Sequence, residues 1–332
     1  MKKIIIRTPN FIGDTINTTP CIQLIKEEYP NASLIIVGPE FVNAIFKYDK
    51  RISKIITFPL AKRKKVSTYL DIWNKIRKEK ADLGIIFVNT FVSALEFRLA
   101  HVRYIIGYSL EKRRALLDFS LPMNRNKHYI NRYASLFNEF IGNKYTTLPA
   151  LYLPINKKNI FTFDNDRPTI GFYPGGSIKG YRRYPSHYVT QLIKQIIDKG
   201  YNIVLVGSTE EGKEYEKYIR DLNNDNIINL AGKTNIEEFF NIIDQIDLLI
   251  TIDSAAMHIA AALRTPFIAL FGLSTSPIST ITPKVNFGRI LKIENNIIRE
   301  EDYMNNLTPD IVCDTLDDMK NNGLLNIKTK QS

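Results

Sequence analysis

Residues 248–263 read LLITIDSAAMHIAAAL, from Leu248 to Leu263. An apolar run, Leu248–Ile252, stops at Asp253-Ser254, and a small-residue helical pattern begins at once with Ala255, Ala256, Met257 and His258. An apolar run of strand length that passes directly into a helix is the pattern of a strand buried on both faces of a parallel sheet. In such a sheet the helix N-terminus points into the crevice at the strand's carboxyl end. The free N–H groups at Ser254 to Ala256 then suit a phosphate or sugar oxygen. Plain capping of the helix by Asp253 or Ser254 is the other role open to the same residues.

The rest of the chain repeats this alternation. Upstream, strands are predicted at Lys3–Arg7, Leu34–Gly38, Lys54–Phe58, Leu83–Val88 and Tyr104–Gly107. A helix opens at Asp14 and runs through about Glu28, and helical patterns follow near 39–47, 66–79, 90–99 and 128–141. A polar stretch at 154–168, PINKKNIFTFDNDRP, reads as a linker. Strands then restart at Thr169–Tyr173, Asn202–Gly207, Ile227–Leu230 and Phe267–Phe271. Helices fall between them near 186–199, 210–222 and 236–244, and Thr308-Pro309-Asp310 starts another that reaches about Asn321. At 332 residues the chain exceeds one ordinary core. The expected architecture is α/β: two doubly wound, Rossmann-like parallel-sheet domains, 1–155 and 168–332, facing across a cleft.

Composition narrows the function classes. Hydrophobic content is 44% and charged content 24%, as in a soluble globular protein. The longest apolar runs are strand-sized, and the N-terminus lacks the pattern of a signal peptide. Cys21 and Cys313 match no metal or redox spacing, which fits a reducing cytoplasm. Charge is lopsided. Residues 1–150 hold 25 Lys and Arg against 12 Asp and Glu, a net +13, whereas residues 151–332 hold 20 against 22, a net −2. Lys62-Arg63-Lys64-Lys65 and Lys112-Arg113-Arg114 concentrate the surplus and point to a polyanionic partner for the first half. Neither half has G-x-G-x-x-G or a P-loop after its first strand, and H-E-x-x-H and a nucleophile elbow are missing too. Dinucleotide dehydrogenases, P-loop NTPases, zinc hydrolases and Ser-triad hydrolases are thereby disfavoured.

Three segments carry chemistry. In Thr8–Pro20, TPNFIGDTINTTP, Gly13 permits a tight turn and Asp14 sits where a helix begins. A carboxylate there is held ionised by the helix dipole and can accept a proton from a substrate hydroxyl, or it can simply cap the helix. In Tyr173–Pro185, YPGGSIKGYRRYP, Gly175-Gly176 lets the backbone approach a ligand, and Ser177, Lys179, Arg182 and Arg183 supply a hydroxyl and three cations. That set suits a diphosphate gaining charge as it departs, or an ordinary exposed basic loop. The third segment is the opening stretch, with Asp253 and His258. His101, His128 and His187 remain unassigned.

These three segments, in this order, resemble the glycosyltransferase family 9 heptosyltransferases. Gly13-Asp14 with Thr19-Pro20 is similar to the family's first motif, Pro174-Gly175 through Arg183-Tyr184-Pro185 to the second, and Asp253-Ser254 with Met257-His258 to the third. Smaller matches are Gly207-Ser208, Leu230-Ala231-Gly232-Lys233-Thr234 and Pro266 to Gly272. Asn89–Asp118, with Ser93-Ala94 and Ile106-Gly107-Tyr108, resembles the heptosyltransferase II branch. The resemblance implies a GT-B fold and inverting, metal-independent transfer without a cofactor. The implied partners are ADP-heptose as donor and a lipopolysaccharide core precursor, an anionic lipid-linked glycan, as acceptor. By motif position Asp14 is the base. Gly176, Ser177, Lys179, Arg182 and Arg183 hold the donor diphosphate. Asp253 binds donor sugar hydroxyls, Ser254, Ala255, Ala256 and Met257 offer backbone N–H groups, and His258 braces the turn. Glu210, or Glu211 beside it, takes the ribose. The basic half meets the acceptor at the inner face of the inner membrane, with Lys62, Arg63, Lys64, Arg113 and Arg114 as exposed docking cations. Three positions depart from the pattern: Ala255 for a frequent Gly, Tyr184 for Trp and Arg182 for Lys.

Other readings are a family 9 transferase with a different donor or acceptor, a nucleotide-sugar epimerase, and a non-catalytic protein that binds anionic glycolipid. The epimerase lacks the extra carboxylates and histidine it needs near the anomeric centre. A nucleic-acid partner is disfavoured, because the first half has no aromatic-interleaved basic pattern.

Overall fold

The computed structural model describes residues 1–62, 66–220, 222–272, 277–293 and 302–325. The chain forms two compact units, Met1–Pro154 and Ile155–Ser332.

Unit 1 runs β1 (Lys3–Arg7), α1 (Ile12–Ile16), α2 (Thr19–Glu28), β2 (Ser33–Pro39), α3 (Val42–Phe46), β3 (Ile52–Phe58) and α4 (Val66–Glu79). It continues with β4 (Leu83–Ile86), α5 (Phe91–Leu99), β5 (Tyr104–Tyr108), β6 (Phe119–Leu121) and α6 (Tyr129–Phe140). Its strands lie parallel in the order β3-β2-β1-β4-β5-β6, with Ile5 opposite both Ile35 and Gly84. Ile5, Ile35, Val37, Ile56 and Phe58 pack with Ile72 and Ile76 of α4 and Phe97 of α5. Each such side chain contributes on the order of 1.5–3 kcal/mol by leaving water. Gly84 permits this layer: a Cβ there would lie 2.5 Å from the Phe97 ring.

Unit 2 runs β7 (Thr169–Tyr173), α7 (Ser186–Asp198), β8 (Asn202–Leu205), α8 (Thr209–Ile219), β9 (Ile227–Asn229), α9 (Ile236–Gln245) and β10 (Leu248–Ile252). Then come α10 (Ala255–Leu263), β11 (Phe267–Phe271), α11 (Ile278–Ile281), β12 (Gly288–Lys292) and α12 (Pro309–Asn321). Its parallel sheet has the order β12-β11-β10-β7-β8-β9. All five residues of β10 are 0% exposed, as a strand covered on both faces requires.

The structure departs from the sequence reading at several places. The helix expected from Asp14 to Glu28 is broken at Asn17-Thr18 into α1 and α2, with Pro20 in the first turn of α2. Edge strands β6 and β12 have no counterpart in the reading. Residues 155–168 are bound along unit 2: Lys158 N donates to Asn241 Oδ1 (2.7 Å), and Ile160 N to Gln245 Oε1 (3.0 Å). Among the described residues, no helix is long and apolar enough to cross a membrane.

Candidate active site

In each sheet the strand order reverses beside the unit's first strand, and loops at the carboxyl ends there form the crevice that ligands enter. In unit 1 the reversal lies between β1 and β4. The chain leaving β1 is held by Arg7, which is 1% exposed, stacks 4.6 Å over the Phe58 ring and donates from Nη1 to Thr8 O at 3.1 Å. The short helix α1 follows, with no side-chain cap and with Asp14 in its first turn. Asp14 is half-buried, and burial pushes its carboxyl up to about 6, partly offset by the Arg132 guanidinium. The expected dipole control is therefore overturned in sign. Five residues make too small a dipole to outweigh loss of water around the carboxylate.

Two neighbours escaped the sequence reading. Arg132, on α6, is 5% exposed and anchored by Nη2 to Arg125 O (2.9 Å) and Lys127 O (3.1 Å). Asn17, one turn past Asp14, is 1% exposed, and among the described residues its side-chain carboxamide has no hydrogen-bond partner. A polar residue three positions after a helix-opening Asp was the available signal.

Arg113 corrects the exposed-cation reading. It is 0% exposed and donates Nε to Tyr108 O (2.8 Å), Nη1 to Val88 O and Thr90 O, and Nη2 to Asn89 Oδ1 (3.2 Å). Burial pushes its pKa down to about 10, with Glu111 acting the other way. Carbonyls left over at the carboxyl ends of β4 and β5 draw it inward. Lys112 and Arg114 on either side are exposed. Lys62 ends a turn at Leu60–Lys62 with its side chain outside the description, and Arg63 and Lys64 lie outside the described residues.

In unit 2 the reversal lies between β7 and β10, so the 174–184 loop and the Asp253-Ser254 turn flank it. Gly175 has φ +70° and Gly180 φ +56°, backbone that favours glycine. The space over Gly175 and Gly176 is filled by protein: a Cβ would lie 2.5 Å from Ile252 Cδ1 at the first and 2.7 Å from Glu211 Cγ at the second. Glycine at both positions is thus required by packing within the unit. Ser177 opens the short turn that carries Lys179 and Arg182, both half-buried. Arg183 faces Glu214 at 3.6 Å.

Glu211 organises this loop. It is 2% exposed; Oε1 accepts from Tyr173 Oη (2.9 Å) and Gly176 N (3.1 Å), and Oε2 accepts from Ser208 N (2.7 Å). Ser208 Oγ accepts from Glu211 N in return, a capping box at the start of α8. Ser208-x-x-Glu211 is legible as that box in the sequence. Its carboxylate is occupied, whereas Glu210 beside it is exposed. At the third segment Ser254 is the cap: its Oγ accepts from Ala256 N (3.2 Å) and lies 3.0 Å from Thr251 Oγ1. The Ala256 amide is therefore taken, which narrows the expected phosphate donors. Asp253 and Ala255 are half-exposed, while Met257 and His258 are buried.

Residues 69–305 match glycosyltransferase family 9 (heptosyltransferase). The chain is 27% identical to lipooligosaccharide heptosyltransferase 2 of Haemophilus influenzae, over 95% of this chain and 99% of that protein. It is 26% identical to lipopolysaccharide heptosyltransferase 2 of Salmonella typhimurium, over 82% and 83% respectively. The solved structure of E. coli ADP-heptose lps heptosyltransferase II shares its fold, with a TM-score of 0.81, 23% identity and coverage of 96% of this chain and 98% of that one. The two doubly wound units are those of the GT-B class, and the chain belongs to glycosyltransferase family 9, the heptosyltransferases.

Proposed function

We propose that this glycosyltransferase moves heptose from ADP-heptose onto the inner core of lipopolysaccharide, as the second heptose, with inversion and Asp14 as base. The observation that carries the reading is the half-buried Asp14 carboxyl, raised to about 6, at the reversal point of the first sheet. A base poised near the working pH is ionised enough to act and basic enough to take a hydroxyl proton. Relatives named as lipopolysaccharide or lipooligosaccharide heptosyltransferase 2 support the sugar and acceptor, and the neighbour named for ADP-heptose supports the donor.

Asp14 removes the proton from an acceptor hydroxyl as its oxygen bonds to the anomeric carbon of the donor sugar. The bond from that carbon to the diphosphate breaks on the opposite face, and its electron pair leaves with the diphosphate. Lys179 and Arg182, with Arg183 braced by Glu214, neutralise the departing charge. Asp253 takes sugar hydroxyls, the Ser254, Ala255 and Met257 amides face the phosphates, His258 braces their turn, and Glu210 takes the ribose. Unit 1 would bind the acceptor and unit 2 the donor. A single displacement needs no covalent intermediate. Lys62, Arg63, Lys64 and Arg114 would draw the anionic acceptor, with the protein peripheral at the cytoplasmic face of the inner membrane.

Incubation of purified protein with ADP-heptose and a truncated core acceptor, read by product mass, tests this. One added heptose is the expected result. Transfer only from another nucleotide-sugar would displace the donor assignment.

A further inference from the structure

We infer that unit 1 docks on an anionic lipid bilayer through the carboxyl edge of its sheet, with large apolar side chains entering the head-group layer. Phe11, between β1 and α1, is 72% exposed. Leu60, just past β3, is 45% exposed, and Leu70, in the second turn of α4, is 51% exposed. Phe91 and Val92, in the first turn of α5 after β4, are also exposed. Because all six strands run parallel, these positions share one edge. From β3 to β4 is three strand spacings, about 15 Å. Single exposed apolar residues are ordinary; five of this size along one edge form a patch that needs a partner.

Charge selects the partner. Lys112 and Arg114, in the loop after β5, and Arg125, in the loop after β6, are exposed on the same edge. Phe91 N donates to Glu111 Oε2 at 2.9 Å, which ties the apolar tip to the basic loop and engages one of that edge's acids. Glu40, after β2, and Asp71, next to Leu70 and paired with Lys75 at 2.7 Å, are further exposed carboxylates there. The 25 cations against 12 anions of the first 150 residues add a long-range pull toward an anionic plane. Apolar tips flanked by Lys and Arg match the two layers of such a surface, acyl boundary and phosphate.

The inference rests on the reading that the acceptor is lipid-linked, and its test separates the two. Full-length protein is floated with phosphatidylethanolamine–phosphatidylglycerol vesicles and with phosphatidylcholine vesicles. Wild type is expected on the first and not the second. L70S/F91S/V92S, which alters only exposed side chains, is expected to lose vesicle binding at least tenfold and to keep the wild-type rate on a soluble, deacylated acceptor. K112E/R114E is expected to lose binding with the apolar edge intact. Wild-type flotation by the triple variant would overturn the inference, as would equal binding to neutral vesicles. Vesicle binding without transfer to any acceptor would leave docking standing and sink the transferase reading. Transfer to a soluble acceptor without vesicle binding would do the reverse.

Discussion

Asp14 shows how burial sets both reactivity and stability at a single residue. A carboxyl raised from 3.8 to about 6 disfavours the folded state whenever it is ionised. The penalty is nil below about pH 4 and complete above about pH 6. Asp14→Asn is therefore expected to slow transfer at least a hundredfold yet stabilise unit 1 by about 1–3 kcal/mol at pH 7.5, a gain that vanishes near pH 4. Urea denaturation of both proteins at the two pH values reads it. Arg113 behaves oppositely. Arg113→Met leaves the Val88 and Tyr108 carbonyls without their donor and should cost roughly 3 kcal/mol, whereas Arg114→Ala should stay within about 0.5 kcal/mol. Comparing their denaturation midpoints separates the two neighbours. Nothing in Lys112-Arg113-Arg114 distinguishes the middle residue, because two of the three carbonyls that capture it, those of Val88 and Thr90, lie far back in sequence, past the end of β4. Gly13-Asp14 marked Asp14 as a candidate in the sequence; its burial and the Arg132 guanidinium brought by α6 were not legible there.

At the scale of elements, Glu211 is the point where α8, the β7 loop and the β8 loop meet. Glu211→Ala removes the acceptor for Tyr173 Oη, Gly176 N and Ser208 N together and should cost roughly 3 kcal/mol. Loosening the loop that carries Lys179 and Arg182 should also raise the donor KM about tenfold while changing kcat less, as expected when ground-state and transition-state binding weaken together. Tyr173→Phe removes one of the three bonds and should cost only about 1 kcal/mol. Steady-state kinetics with varied donor, alongside denaturation, decide this. The central strands β7, β10 and β11 were readable to the residue because burial on both faces leaves an uninterrupted apolar run. Edge strands β6 and β12 carry half-buried residues and no such run, so the pattern that finds central strands passes over them. The break between α1 and α2 was written in Thr18-Thr19-Pro20, a helix start inside an apparent helix.

For the whole molecule, the charge surplus lies in the first 150 residues and the remainder is near neutral, so the proposed attraction of an anionic acceptor belongs to unit 1. Raising salt from about 0.05 to 0.5 M shortens the screening length to a few ångströms. Transfer to a vesicle-embedded acceptor should then slow severalfold through weaker association, with little change on a short uncharged acceptor; parallel rate measurements at both salts test this. The proposed transfer depends on the proton taken by residue 14. The most direct measurement is the pH dependence of kcat/KM for heptose transfer by wild type and Asp14→Asn. A wild-type profile that rises with an apparent pKa near 6, with the variant at least a hundredfold slower and lacking that rise, is the predicted result. Equal rates, or the same inflection in both proteins, would contradict it.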